Sequence, residues 1–371
     1  MLVFFIPAGI LAMLLVFHLV FSAFWDKGLS ANAFFDGNRI RAGEKTSLLL
    51  RFENDKRMPL PVLILEFKVR RGLHFSENEN ITVSDRINVI EYFSVGSQEE
   101  ITRQSEILCE ARGVYRIEEL LVTVPEIFSR NARLMKIPSD AQLTVLPRML
   151  QKGAVSGINE LVLGEALSKK RLYEDVFTFR GIREYTARDP LSRVNWKASA
   201  RTGELMVNER DYTFGQEVCF LLNVESPGIR YNGDLLEDGI SIAFDAAAGC
   251  LASRIPVSML TNGRDFATGK ELFLPAGSSG GHLAAAGDIL ARIDLERPVR
   301  EFSDIIKEMN RESGEVSISY VLISSAMGDA LIREAAEFAG RRGGLIWICP
   351  QSPGQETKAI PEIITFRRVE L

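Results

Sequence analysis

The chain has 371 residues, 46% hydrophobic and 25% charged, with a formal net charge of -5. That length accommodates two domains with separate cores, and the composition excludes a disordered chain. The acidic balance argues against a general nucleic-acid binder. With only His18, His74 and His282 in the whole chain, a histidine-based zinc site or a Ser-His-Asp triad is disfavoured.

Residues 2–25, LVFFIPAGILAMLLVFHLVFSAFW, contain no acidic or basic side chain apart from His18. At about 1.5 Å per residue, a helix of this length measures about 36 Å, enough to cross a bilayer with some tilt. Pro7 is tolerated near a helix start, and Trp25 suits the interfacial belt. The expectation is an uncleaved, single-pass anchor over residues 1–27. The rival, a cleaved signal peptide, lacks a Lys or Arg ahead of the apolar run. Lys27, Arg39, Arg41 and Lys45 follow the span, so the charge bias puts the body of a cell-membrane protein in the cytoplasm.

Residues 28–150 alternate in short runs punctuated by Asn, Asp, Gly and Pro. TSLLLRFEN (46–54), LPVLILEFKV (60–69), ITVSDRINVIEYF (81–93), VYRIEELLVTV (114–124) and QLTVLP (142–147) are predicted strands, together an antiparallel β-sandwich. His74 and the acidic SENEN (76–80) read as a solvated loop.

Residues 151–215 form a connector with the densest chemistry of the chain, REYTARDPLSRVNWKASARTGELMV. The stretch from Asp189 to Gly203 reads as a capped helix, with Asp189 as N-cap, Pro190 at the first position and Gly203 as the stop. Arg193, Lys197 and Arg201 then share one face at i, i+4 steps. This cationic stripe either receives an anion or acidic partner, or is an ion-pair knot with Glu184, Asp189 and Glu204 and with Trp196 stacked beneath an arginine.

From 216 to 371 strands and helices alternate. EVCFLLNV (217–224), PVSMLTN (256–262), VSISYVLISS (316–325) and GGLIWICP (343–350) are predicted strands. Helices are predicted at 238–255, 280–294 and 329–342. Such alternation predicts a parallel sheet with helices on both faces and ligands beyond the carboxyl ends of the strands, here NVES (223–226), TNGRD (261–265) and SSAMGD (324–329). The glycine-rich PAGSSGGH (275–282) lacks P-loop and dinucleotide spacing and reads as a flexible loop. Cys109, Cys219, Cys250 and Cys349 form no CxxC pair and lie in or beside apolar runs, as buried free thiols do. The fold expected is an α+β multidomain chain with an N-terminal transmembrane helix, a β-sandwich and an α/β domain.

NVESP (223–227) occupies the place where a von Willebrand A-type domain carries its Asp-x-Ser-x-Ser metal motif. Asn223 replaces the Asp, Glu225 the first Ser and Pro227 the second. Asn223 and Glu225 are the candidate ligands for a divalent cation such as magnesium, in a motif that has lost most of its charge. The connector FRGIREYTARDPLSRVNWKASARTGELMVNE resembles the signature of the domain-of-unknown-function 58 family, carried here by Arg183, Tyr185, Asp189, Arg193, Trp196, Lys197, Ser199, Ala200 and Arg201. The amino-terminal apolar segment, residues 111–128, LTVLPR (143–148) and residues 274–293 follow in family order. Departures are a single predicted span where many relatives have two, VPEIFSRNARL (124–134) in place of an Asp-Pro-Phe-Gly turn, and the degraded metal motif.

The resemblance implies a von Willebrand A-like (Rossmann-type) domain and no established catalytic activity. It further implies a membrane-tethered partner of MoxR-type AAA ATPases in assembly or envelope-related processes. The expected function is therefore a non-enzymatic interaction protein whose binding residues are Arg183, Tyr185, Asp189, Arg193, Trp196, Lys197 and Arg201. The alternative is a metal-assisted hydrolase or phosphate-binding enzyme using Asn223, Glu225 and the basic helix.

Overall fold

A computed structural model of the chain describes residues 2–75, 81–83, 86–125, 132–150, 157–166, 179–186, 194–210, 217–226, 233–312, 318–354 and 357–370. It divides into two compact units, Met1–Arg148 and Met149–Leu371, so the segment 151–215 falls within the second. SENEN (76–80), Asp189 and Arg193 lie outside the described residues.

The first unit opens with helix α1 (Leu2–Phe24), 23 residues without an acidic or basic group in its first or last turn. Among the described residues no helix is long and apolar enough to cross a membrane; in α1 the side chains of residues 2–8, 10–12 and 17 lie outside that description. The carboxyl end of α1 is fastened to the strands of the same unit. Phe21 and Trp25 are buried in the sandwich core, Arg133 Nη2 donates to Ser22 Oγ at 2.7 Å, and Lys56 Nζ donates to the Trp25 carbonyl.

Ten strands make up the rest of this unit: β1 (Leu29–Phe35), β2 (Arg39–Arg41), β3 (Lys45–Asn54), β4 (Leu60–Arg70), β5 (Leu73–Phe75), β6 (Ile81–Val83), β7 (Arg86–Val95), β8 (Glu99–Cys109), β9 (Gly113–Pro125) and β10 (Ala132–Leu146). They form two sheets of order β1-β3-β8-β5 and β2-β10-β9-β4-β7-β6, antiparallel except for the β2–β10 pair. Period-two alternation turns Leu48, Leu50 and Phe52 of one sheet and Leu63, Leu65, Phe67, Leu120 and Val122 of the other into a single core. Each such side chain contributes about 1.5–3 kcal/mol of burial. The stretch predicted as one strand over 81–93 is two, β6 and β7, paired antiparallel with Ile81 opposite Val89. β10 also begins ten residues earlier than predicted, at Ala132.

The second unit holds a helix over 157–166, α2; a two-stranded sheet of β11 (Phe179–Glu184) and β12 (Met206–Arg210); and, between those strands, α3 (Trp196–Thr202). Beyond them come β13 (Val218–Leu222), α4 (Gly233–Ala252), β14 (Val257–Asp265), β15 (Glu271–Gly277), α5 (His282–Arg292), β16 (Ile293–Asp294), α6 (Phe302–Arg311), β17 (Ser319–Ile323), α7 (Asp329–Arg342), β18 (Leu345–Gln351) and β19 (Ile364–Glu370). Their sheet runs β15-β14-β13-β17-β18-β19, with β16 attached to β14. All neighbours on that path are parallel except the edge strand β15. Numbered by appearance with β16 left aside, the order is 3-2-1-4-5-6, that of a doubly wound sheet.

Fully buried strands such as VCFLL and SYVLI fit a sheet covered on both faces. One face packs Cys219, Leu221, Tyr320, Leu322 and Trp347 against Phe302, Ile305 and Ile306 of α6 and Phe338 of α7. The opposite face receives α4, where Gly239 lies against Ile323 and Pro350. Arg342, on α7, closes the carboxyl end of α6 by donating from Nη2 to the carbonyls of Met309 (2.8 Å) and Glu312 (2.9 Å).

Candidate functional site

Two places gather the residues singled out in the sequence. The first is the module of β11, α3 and β12. Asn195, not Asp189, is the N-cap of α3: its Oδ1 accepts from the Ala198 amide at 3.0 Å. Val194, just before it, is buried in a bridge with Val207 of β12, so the helix cannot run continuously from Asp189 to Gly203 as predicted. Gly203 does end it, with φ 79° and its amide on the Ser199 carbonyl. Ser199 ties the helix to β12: its Oγ accepts from the Met206 amide at 2.8 Å.

A helix of seven residues with none buried displays its side chains outward. Trp196 is 67% exposed, and Lys197, Ala200 and Arg201 on the same helix are exposed too. Whether an arginine stacks on Trp196 turns in part on Arg188 and Arg193, which lie outside the described residues. Arg183 sits opposite Val207 on β11, exposed, with Nη1 donating to the Glu184 carbonyl at 3.0 Å. Tyr185 is half-buried, and its amide donates to the Leu205 carbonyl at 2.8 Å. The fold thus brings Arg183, Tyr185, Trp196, Lys197 and Arg201 onto one small module. A short helix that exposes an indole and two cations suits an anionic or acidic partner with an apolar element.

The second place is the carboxyl end of the parallel strands. Asn223, immediately after β13, is buried, with its carboxamide in a closed network. Its Nδ2 donates to Ser324 Oγ at 3.0 Å, and its Oδ1 accepts from the Glu225 amide at 2.9 Å and from Asn262 Nδ2 at 3.0 Å. Asn262 Oδ1 in turn accepts from the Val224 amide at 2.9 Å, and its Nδ2 also reaches the Arg300 carbonyl at 2.9 Å. Ser324 Oγ donates to the Ala326 carbonyl at 2.9 Å. Glu225 turns to α6, accepting from the Phe302 amide at 3.3 Å, where the positive end of the helix dipole meets its charge.

These residues do not fit a divalent cation. Asn223 Oδ1, the oxygen a cation would need, already accepts two N–H groups, the surrounding amides and hydroxyls bring no charge, and the one carboxylate, Glu225, turns to the Phe302 amide. Among the described residues no group of three His, Cys, Asp or Glu side chains is placed to hold a metal ion. Sequence reasoning singled out TNGRD as a strand-end segment but missed Asn262 as the residue that locks Asn223. The signal was a fully polar dipeptide, Thr261–Asn262, within a strand that begins apolar.

No family model and no curated protein matches this chain. Similar solved structures include the CARDB domain of a Pyrococcus furiosus protein, solved with di-metal ions, at 12% identity and TM-score 0.19 over 30% of this chain and 90% of that one. They also include the seventh ScaB type I cohesin of Pseudobacteroides cellulosolvens, at 10% identity and TM-score 0.21 over 33% of this chain and 95% of that one. A non-cellulosomal cohesin of Archaeoglobus fulgidus stands at 9% and 0.21, over 34% and 97%. Likenesses this distant carry no functional inference.

Proposed function

We propose that the chain is a membrane-anchored interaction protein of the domain-of-unknown-function 58 type. In this reading α1 is the anchor, the sandwich is the spacer, and the second unit is a von Willebrand A-like platform for a MoxR-type AAA ATPase or its client. The observation that carries the reading is Trp196, exposed on a helix with no buried residue that also carries the exposed Lys197 and Arg201. A tryptophan displayed in this way is costly in water and is the residue type that most often dominates a protein interface. Supporting it are the doubly wound strand order of the second unit and a 23-residue amino-terminal helix that exposes Met13, Leu15, Val16 and Leu19. The signature residues Arg183 and Tyr185 stand on the same module as Trp196.

The test is capture of partners from detergent-solubilised membranes by the wild-type chain and by Trp196→Ala and Lys197→Glu/Arg201→Glu variants. Loss of an ATPase partner in both variants, with unchanged melting temperature, is expected. Identical partner lists would remove α3 from the recognition surface.

A further inference from the structure

The outer face of the six-stranded sheet changes character along its length. On β4 the outward residues run Val62, Ile64, then Glu66, Lys68 and Arg70; on β7, from the opposite chain direction, Tyr92 and Ile90, then Asn88 and Arg86. On β9 they run Thr123 and Leu121, then Glu119, and on β10 Leu134, then Lys136. Register aligns these sequences. Tyr92 is opposite Ile64, Ile64 opposite Thr123, and Thr123 opposite Leu134, making one row across four neighbouring strands. Val62 is 46% exposed, Tyr92 52% and Leu134 55%. The apolar half of this face is confined to one end of the sheet, and the charged half to the other.

The apolar end is the end joined to α1. Phe21 and Trp25 enter the sandwich core there, Arg133 beside Leu134 bonds Ser22, and the turn between β3 and β4 meets the chain just after α1, with the Asp55 amide on the Gly28 carbonyl. Only residues 25–28 separate α1 from β1, too few for a flexible linker. Val62 and Leu134 lie two residues from the starts of their strands, roughly 7 Å, and Tyr92 three residues from the end of β7, roughly 10 Å. That is on the scale of the headgroup layer, which accounts for about 5–8 Å on each side of a bilayer. Lys27, Lys56 and Arg133 stand at the same end, offset in part by Asp26 and Asp55, and Tyr92 has the amphipathic ring favoured at such depths.

We propose that this end of the sheet is a lipid-contacting surface, with Val62, Tyr92 and Leu134 seated in the headgroup layer of the membrane that holds α1. The proposal rests on the reading of α1 as an anchor. It makes the sandwich a rigid foot on the bilayer, fixing the orientation of the first unit instead of leaving it to swing on a tether.

The experiment places a single nitrobenzoxadiazole-labelled cysteine at Val62→Cys, Tyr92→Cys, Leu134→Cys or, as the far-end control on the same face, Lys68→Cys. All four native cysteines are buried, so brief labelling selects the new thiol. The full-length variants, checked for wild-type melting temperature, are reconstituted into phosphatidylcholine vesicles with and without doxyl-labelled lipid, and flotation is measured on the same samples. Quenching by doxyl lipid at 62, 92 and 134 but not at 68 is expected. Flotation without quenching at 62 and 134 overturns the lipid surface while leaving the anchor intact. Failure to float removes the anchor and the proposal together. Energy transfer between labelled copies in place of lipid quenching assigns the face to a second copy and likewise overturns the proposal.

Discussion

Arg103 on β8 sets its Nη1 2.6 Å from the carboxylate of Glu91 on β7, and these strands belong to opposite sheets of the sandwich. Glu91 occupies an inward position of β7, between Val89 and Phe93, and is buried. Arg103 also lies over the Phe93 ring, 4.6 Å from its centroid. A carboxylate facing a hydrocarbon core is tolerated because a cation from the facing sheet reaches it, which makes the pair a registry pin between sheets.

Replacing Arg103 by Met keeps the packing on Phe93 and removes the cation from Glu91. The expected loss is about 2–3 kcal/mol, below the 3–5 typical of a fully buried pair because Arg103 keeps access to water. The double variant Arg103→Met/Glu91→Leu is expected to recover part of that loss, since no buried charge remains. Denaturant unfolding of the four proteins of this cycle measures it. A double variant less stable than Arg103→Met would contradict the account.

Gly72 and Tyr115 form a second pin. Tyr115 Oη donates to the Ala111 carbonyl at 2.7 Å, and the Gly72 carbonyl accepts from the Glu110 amide at 2.8 Å. Gly72 has φ +115°, and a Cβ there would stand 2.1 Å from Tyr115 Oη. Gly72→Ala therefore combines backbone strain with a clash that displaces a buried hydroxyl, at about 3 kcal/mol or more. Tyr115→Phe loses only the hydrogen bond, about 1–2 kcal/mol. Thermal melts that rank Tyr115→Phe as the more damaging change would overturn this assignment.

The sandwich and the doubly wound sheet were legible in the sequence where burial is periodic. TSLLLRFEN and LPVLILEFKV are short apolar runs that end in polar alternation (LRFEN, LEFKV), and VCFLL and SYVLI are continuous runs, so β3, β4, β13 and β17 follow from pattern alone. β8 was missed because the first half of EEITRQSEILC offers only Ile101 to the core, its Arg103 on the same face serving Glu91 instead. The extent of α3 was misread because Asp-Pro is a strong start signal, whereas Val194 is taken by β12 and leaves capping to Asn195. Of the strand-end network the sequence shows only the polar Thr261–Asn262 pair in β14. The network exists only once the strand order brings Asn223, Asn262 and Ser324 together.

Burial raises the thiols of Cys219 and Cys250 to about 12, and those of Cys109 and Cys349 to about 11. At neutral pH roughly one in 10⁴ or fewer of these groups is thiolate, the reactive form. Ellman's reagent is expected to leave the native protein untouched on the timescale of minutes and to titrate all four cysteines in guanidinium. Rapid stoichiometric reaction of any one in the native state would show an open site.

Asp265 offers a pH test. Burial raises its carboxyl pKa, but hydrogen bonds from Arg292 (2.5 Å), the Ala267 amide (2.9 Å) and Thr268 (2.9 Å) outweigh this and hold it below the ordinary 3.8. A carboxylate depressed on folding binds fewer protons in the native state than in the unfolded one. Its contribution is complete above the unfolded pKa and is lost as pH falls through the lower, native value. Asp265→Asn is expected to cost about 1–2 kcal/mol at neutral pH, moderated because Arg292 is partly exposed. The gap from wild type should narrow only below pH 3.8. A gap that persists unchanged in strong acid would assign it to packing.

The sharpest test of the strand-end network is Asn223→Asp, which puts a carboxylate where the amide stands. In the wild type the carboxamide donates to Ser324 and accepts from Asn262 and the Glu225 amide, a set that needs both ends of the amide. Aspartate keeps the two accepted bonds but loses the donated one, and it buries a charge among amides and hydroxyls. The expected cost is about 2–4 kcal/mol in the absence of metal. Magnesium at millimolar concentration should leave the melting temperature of the wild type unchanged, because its amide oxygen is already engaged. If the aspartate variant gains stability with magnesium, the fold retains a cation-sized space that the amide network fills. If the wild type gains as much, Asn223 ligates an ion and the closed network described for it is wrong.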